Sequence, residues 1–377
     1  MLGLILCNFL GASPLQIAFL TTLRPVISFF SFYWSSFLDE SSLTLKRNLI
    51  LAHSLALIFF VFTPLFSSIE YLIFCSGMYV LFYRAETPAL MEILRRNLSK
   101  TQREQALSKG TTAAYIEGIF LALVTGWVLE NYPGSWRWLL SLFAVVGLVS
   151  NYLFYRLAIA NCGINDTPKS RKTFSFVAPI REGFSLLRRS PQFLQFQWGY
   201  FLCGGGLMMA LPVIPSFLKG HPFSFATLAT STTAIKEIGM ILTTPLWGYL
   251  MRRFRYENLS TAVFTLVAMY LFLLLNIEAA YQMLIISFLI YGIAQAGSHM
   301  IWSLSGPYFS KEDDSSRYSM VNVFMVGVRG LVMPPTGALL SHFFGGEIAI
   351  FTGAIFCLLG AILISVPQKI ENSIESI

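Results

Sequence analysis

The stretch "FYWSSFLDESSLTLKRN", residues 32–48, begins as an aromatic, apolar run and breaks into two carboxylates followed by two cations. The largely apolar run that precedes the break, from residue 15, is long enough for a helix, at about 1.5 Å per residue, to cross a hydrocarbon core. The break therefore reads as a chain leaving a membrane. Runs of the same kind recur at 15–38, 49–67, 71–94, 106–130 and 137–158, and again at 192–217, 225–250, 258–277, 280–304, 316–341 and 347–366. Strands of a membrane barrel would be shorter and would alternate. The eleven runs predict eleven complete spans. "MLGLILCNF" at the start is too short to cross and reads as the remnant of a twelfth.

Composition agrees. Hydrophobic residues make up 55% of the chain and charged residues 12%, against roughly 25% charged in soluble domains. Residues 1–14 lack the basic start and small-residue cleavage site of a secretory signal. If the loop holding Asp39 and Arg47 is cytoplasmic, the inner loops and helix ends hold 20 of the 26 lysines and arginines. Basic residues in short loops stay cytoplasmic, which predicts a cytoplasmic C-terminus. The net charge of +7 is then a topology signal with attraction for anionic lipid, and implies no nucleic-acid partner. Five cysteines, Cys7, Cys75, Cys162, Cys203 and Cys357, show no metal-ligand spacing, so no disulfide, metal or cofactor is expected. The short loops without appended domains suggest a bacterial inner membrane, and the chain reads as a monomer.

A second stretch repeats the opening event. "TPLWGYLMRRFRYEN", residues 244–258, ends its run in the same way, with Trp34 and Trp247 standing 213 residues apart. The same offset carries Arg24 to Glu237. Later, "SKTQREQ" from Ser99 matches "SKEDDSS" from Ser310 at an offset of 211, which also aligns Thr125 and Gly126 with Thr336 and Gly337. The chain thus divides into residues 1–160, a basic linker 161–190, and residues 191–377. Parallel repeats of this kind mark transporter folds. By the offset, helix 7 near Pro191 corresponds to a position before Met1, so most of helix 1 is expected to be absent from this chain.

On these residues the chain resembles the major facilitator superfamily, whose hallmark is a GxLxDRxGRR-like loop between helices 2 and 3, echoed between helices 8 and 9. The first copy has Ser35 at the glycine position, Asp39 at the aspartate, Glu40 where arginine is usual, and Lys46 and Arg47 as trailing bases. The second keeps Gly248, Leu250 and Arg253 and has Arg252 at the aspartate position. The resemblance implies an all-α polytopic membrane protein: two six-helix bundles about a pseudo-twofold axis, here with eleven complete helices and a remnant of helix 1. A small residue at such a loop lets helix ends approach, and a carboxylate there can pair with bases or a helix end. The loops read as a latch for one state of a rocking protein, or as topology signals with incidental acids.

Ionisable side chains inside a bilayer cost about 2.5 to 3.5 kcal/mol each and normally face a partner or a wet cavity. The candidates are Arg24, Arg84, Glu86, Glu117, Lys236, Glu237, His299 and Arg329. Repeat mates carry opposite charge: Arg24 with Glu237, and Glu117 with Arg329. By the resemblance, helix 5 lies against helix 8 and helix 2 against helix 11, which would gather Glu117, Lys236 and Glu237 on one flank and the two arginines on the other. Neighbouring carboxylates in low dielectric share a proton, and arginines suit a bidentate anion. Structural pairing within each half is the competing reading. Arg84, before "AETP", weakly resembles the family's antiporter arginine, but the glycines that should follow it are missing. Helix 5 also lacks the family's antiporter proline. His299 is expected in an interhelical hydrogen bond. "CGGGLMMALPVIP", residues 203–215, should make helix 7 flex.

The expected function is secondary active transport of a small organic solute by alternating access. Protons would be the coupling ion, and the solute an anion or amphiphile. A non-transporting receptor or decayed relative is the alternative. A lipid enzyme is disfavoured, since GxSxG, GxGD and HExxH arrangements are missing.

Overall fold

A computed structural model of the protein describes residues 1–36, 42–157, 185–278, 281–310 and 315–366. The first half contains α1 (Leu2–Leu10), α2 (Pro14–Ser36), α3 (Ser42–Val61), α4 (Ile69–Asn97), α5 (Lys100–Asn131) and α6 (Trp136–Arg156). The second contains α7 (Pro191–Ala210), α8 (Ile214–Lys219), α9 (Phe225–Ala229), α10 (Lys236–Leu250), α11 (Tyr256–Leu274), α12 (Tyr281–Ser310), α13 (Ser315–Phe344) and α14 (Gly346–Ser365). A π-helical turn, Thr230–Ile235, joins α9 to α10. All eleven expected spans are helical, most with ends close to the apolar runs; the span expected at 49–67 runs instead from Ser42 to Val61, and the one at 192–217 is broken in two. Among the described residues, seven stretches are long and apolar enough to cross a membrane by length and composition alone. The greater part of the linker, Asp39 and Glu40 lie outside the described residues.

Local chemistry sets the boundaries. α1 stops at Gly11, whose φ of 68° is a left-handed cap that costs glycine nothing. Ser99 caps α5 in a reciprocal box with Gln102. The glycine- and proline-rich stretch expected to flex helix 7 breaks it. α7 ends at Ala210, and the chain restarts as α8 with proline in its first turn.

Within the first half α3 packs on α4 and α6, and α2 on α4. In the second, α14 lies between α7 and α11, while α12 packs on α10 and α11. Among the described residues the main contacts between the halves are α2 with α13, α5 with the α9–α10 rod, and α1 with α8 and α9. The contact of α1 with α8 brings repeat mates together, because Lys219 Nζ donates to Cys7 O at 2.8 Å, across 212 residues. Nearby, the Ala226 amide donates to Glu130 Oε2 at 3.1 Å, and the rings of Phe9 and Phe225 lie 4.9 Å apart. At the other end, where Lys46 and Arg156 sit, α5 draws away and every residue from Lys109 to Ala114 is exposed.

The repeat also shows where the halves differ. Leu142, Val145, Val146, Val149 and Leu153 form one exposed face of α6. At the 211-residue offset their mates are Gly353, Phe356, Cys357, Gly360 and Ile364, which are the α14 residues against α7 at Gly199 and Gly206.

Candidate functional site: charged residues of the cleft between the halves

The π-helical turn sets up the first flank. One extra residue per turn lifts backbone groups out of the regular ladder, and such bulges gather at functional sites. Here it delivers Lys236 and Glu237 to the start of α10. Gly292 lets α12 come so close that a Cβ there would stand 2.1 Å from Lys236 O. Lys236 Nζ pairs with Glu237 Oε1 at 2.8 Å, while Glu237 Oε2 is buried without a hydrogen-bond partner. Across the junction, a Cβ on Gly118 of α5 would meet Glu237 Cγ at 3.7 Å. The side chain of Glu117, next along α5, is exposed. Tyr115, Tyr291 and His299 all lie within electrostatic reach of Glu237.

One face of α12 extends this flank. Gln295 donates to the Tyr291 hydroxyl at 2.8 Å, and His299 Nε2 lies 3.0 Å from Gln295 Oε1. Spaced four apart, the three residues form a ladder along one helix face. The partner of His299 is therefore within its own helix and not on a neighbour. Tyr291 stacks on Tyr270 with ring centroids 4.4 Å apart, which fixes the ladder's far end.

The second flank holds the arginines. Gly330 lies so close to Pro25 that a Cβ would stand 2.2 Å from its Cγ, so α2 and α13 cross beside Arg24 and Arg329. The guanidinium of Arg329 lies on α7, where it donates to Tyr200 O. It occupies the space a side chain at Gly204 would need. Its Nε is buried and has no hydrogen-bond partner. Arg24 is exposed and within electrostatic reach of Tyr79, as are Glu86 and Glu117.

Glu86 itself turns into the first half. Its Oε2 lies 3.1 Å from His53 Nδ1, in the packing of α3 against α4 and α6. Arg84 is on α4, but its side chain lies outside what is described, as does that of Ser35. Of the loop residues, Lys46 Nζ donates to Leu157 O at 3.1 Å and sits over the Tyr155 ring, while Arg47 is exposed. Arg252 Nε donates to Gly248 O at 3.3 Å, and Arg253 lies over Tyr249.

The sequence profile of the Major Facilitator Superfamily matches residues 1–236 and 198–373, so that its two matches together span nearly the whole chain. The chain belongs to that superfamily. Solved structures similar to it include the nucleoside transporter NupG in a mutant form, at 12% identity and a TM-score of 0.74, covering 96% of this chain and 93% of that one. A bacterial homologue of the human lysosomal transporter Spinster, described as inward-facing and unoccupied, has 14% identity and a TM-score of 0.70, covering 96% and 91%. A POT family transporter in complex with 5-aminolevulinic acid has 14% identity and a TM-score of 0.71, covering 96% and 90%. No curated protein matches. At these identities the likeness is one of fold. Together with the family it makes this superfamily member a multi-pass membrane transport protein and not an enzyme.

Sequence reasoning missed Tyr291, Gln295, His53 and the π-helical turn. A polar residue every fourth position in "YGIAQAGSH" was the available signal for the α12 ladder. A lone histidine in "LAHSLAL" hinted at a buried partner without naming it.

Proposed function

We propose that the protein is a secondary active transporter that moves a small organic solute, anionic or amphiphilic, by alternating access coupled to protons. The carrying observation is a pair of incompletely satisfied charged groups: the Oε2 of Glu237, at the start of α10 facing α5, and the Nε of Arg329, whose guanidinium lies on α7 behind the crossing of α2 and α13. A buried carboxylate oxygen without a donor suits a proton that comes and goes. A buried guanidinium with a free donor suits an anionic group. The hydrogen bonds of Lys219 and Glu130 close one end, and the exposed stretch of α5 leaves the other open, which supports a state facing the basic end. Basic loops favour that end as cytoplasmic, and the inward-facing Spinster homologue has the same fold. On this reading the membrane is a bacterial inner membrane, and the working unit is a monomer among lipids.

The test is solute-induced proton movement in proteoliposomes, across organic anions, amphiphilic cations and sugars. Wild type should move protons with an organic anion. Glu237→Gln should transport without proton movement, and Arg329→Met should lose the anion tenfold or more in apparent affinity. Transport of sugars alone, or full coupling in Glu237→Gln, defeats the proposal.

A further inference from the structure

We infer that His53 and Glu86 form a proton-binding couple inside the first half, separate from the cleft. Counting along α3 from Ser42 and along α4 from Asn97 places both about 16 Å from the basic end, near mid-span. Glu86 is 7% exposed and the His53 side chain 19%. An ionisable pair at that depth is costly unless its protons are matched to its partners.

The partners fix those protons. His53 Nε2 lies 3.1 Å from Gly147 O, and a carbonyl oxygen only accepts, so Nε2 carries hydrogen. Ser150 Oγ donates to the same carbonyl at 2.6 Å and stands 3.3 Å from Nε2, which reinforces that tautomer. The edge of the Phe154 ring, 5.2 Å away, adds no charge. The other ring nitrogen faces Glu86 Oε2 at 3.1 Å, a contact that requires one hydrogen between nitrogen and oxygen. That hydrogen resides on Nδ1, giving imidazolium and carboxylate, or on Oε2, giving neutral ring and acid. Either way the couple is neutral and holds one transferable proton.

Loss of the proton leaves a carboxylate facing the Nδ1 lone pair, so α3 and α4 repel at this contact. Among the described residues, the charged and titratable groups around the couple are these. Tyr79, seven residues before Glu86 on α4, lies within electrostatic reach of it. The same tyrosine is within reach of Arg24 and Glu117, and it stacks on Tyr83 at 5.6 Å. From α6 the facing groups are the Ser150 hydroxyl and the Gly147 carbonyl.

The test is a titration of ring-nitrogen NMR signals in the full chain labelled at its four histidines, without any solute, so that it stands apart from the transport reading. His53→Gln assigns the signal. In wild type the His53 ring should keep its added proton to at least tenfold lower proton concentration than in Glu86→Gln, with the proton of the neutral ring on Nε2. Ser150→Ala should leave the midpoint within about threefold, since the carboxylate remains. Equal midpoints in wild type and Glu86→Gln would overturn the couple, as would a ring in the same protonation state in both throughout about pH 5 to 8. If Glu86→Gln does not fold, the wild type decides alone: a neutral His53 protonated at Nδ1 sinks the inference, and one protonated at Nε2 supports it.

Discussion

Across the 211-residue offset, Gly353 and Gly360 of α14 stand where α6 carries Leu142 and Val149. The glycines put backbone against backbone. A Cβ at Gly353 would lie 2.5 Å from Gly206 O, and one at Gly360 would lie 2.7 Å from Gly199 O. α6 is held by side chains on its other face: Ser141 donates to Val61 O at 2.9 Å, and Asn151 Nδ2 to Ser54 Oγ at 2.9 Å. In lipid no hydrophobic drive brings helices together, so close packing and hydrogen bonds must do it. α14 uses mainly the first means against α7, and α6 uses the second against α3. A half stitched by side chains can host a His–Glu pair such as His53–Glu86, because polar partners are already present.

The strongest test of that contrast adds bulk at matched positions. Gly353→Leu should cost about 3 kcal/mol, since the obstruction is backbone and cannot rotate away. It should appear as a large fall in Tm and loss of monodisperse protein in detergent. Leu142→Phe at the mate position should change stability by no more than about 0.5 kcal/mol. If both substitutions are equally damaging, the α6 face is packed as tightly as its mate and the contrast fails.

Removing one stitch should matter less. Asn151→Ala deletes a single side-chain bond to α3, and such bonds contribute about 0.6 kcal/mol on average in membranes. Its Oδ1 has no partner to lose. A small Tm shift in thermal unfolding is expected. A loss comparable with Gly353→Leu would mean that the stitches act as one unit and not as separate bonds.

The physics explains what sequence made legible. Apolar runs report helices because a lipid-embedded backbone must satisfy itself within each segment. The rods, the repeat and the charged positions in them were therefore visible. Partners were not, because pairing across a bundle leaves no periodicity: His53 finds Glu86 on another helix, and Arg329 reaches the carbonyl of Tyr200, not an acid. The π-helical turn was hidden for a related reason. Its residues, "TSTTAI", are ordinary in an α-helix, and the wide turn depends on what packs around it. The glycines of helix 7 were read as a source of flexing. Gly204 instead yields space to the Arg329 guanidinium, and Gly206 to the Gly353 carbonyl. What sequence alone could not supply was the list of neighbours.

The contrast between the halves should vanish where repeat mates meet. At α1 and α8 the equivalent segments touch each other, and the bond from Lys219 Nζ to Cys7 O caps the last turn of α1 with a cation. A lysine at a helix C-terminus satisfies a carbonyl otherwise without a partner and complements the dipole, a gain of about 0.3 to 1 kcal/mol. Lys219→Met keeps the stem and deletes the charge, so amides of Leu6 to Ala12 should exchange about fivefold faster with deuterium. Global Tm should hardly move, because the bond fastens a junction and not a core. Lys219→Arg should restore slow exchange, as its guanidinium can reach the same oxygen. If exchange in α1 is indifferent to all three side chains, the junction is held by packing alone. The Cys7 carbonyl would then have an accepting role that water or a lipid headgroup can fill equally well.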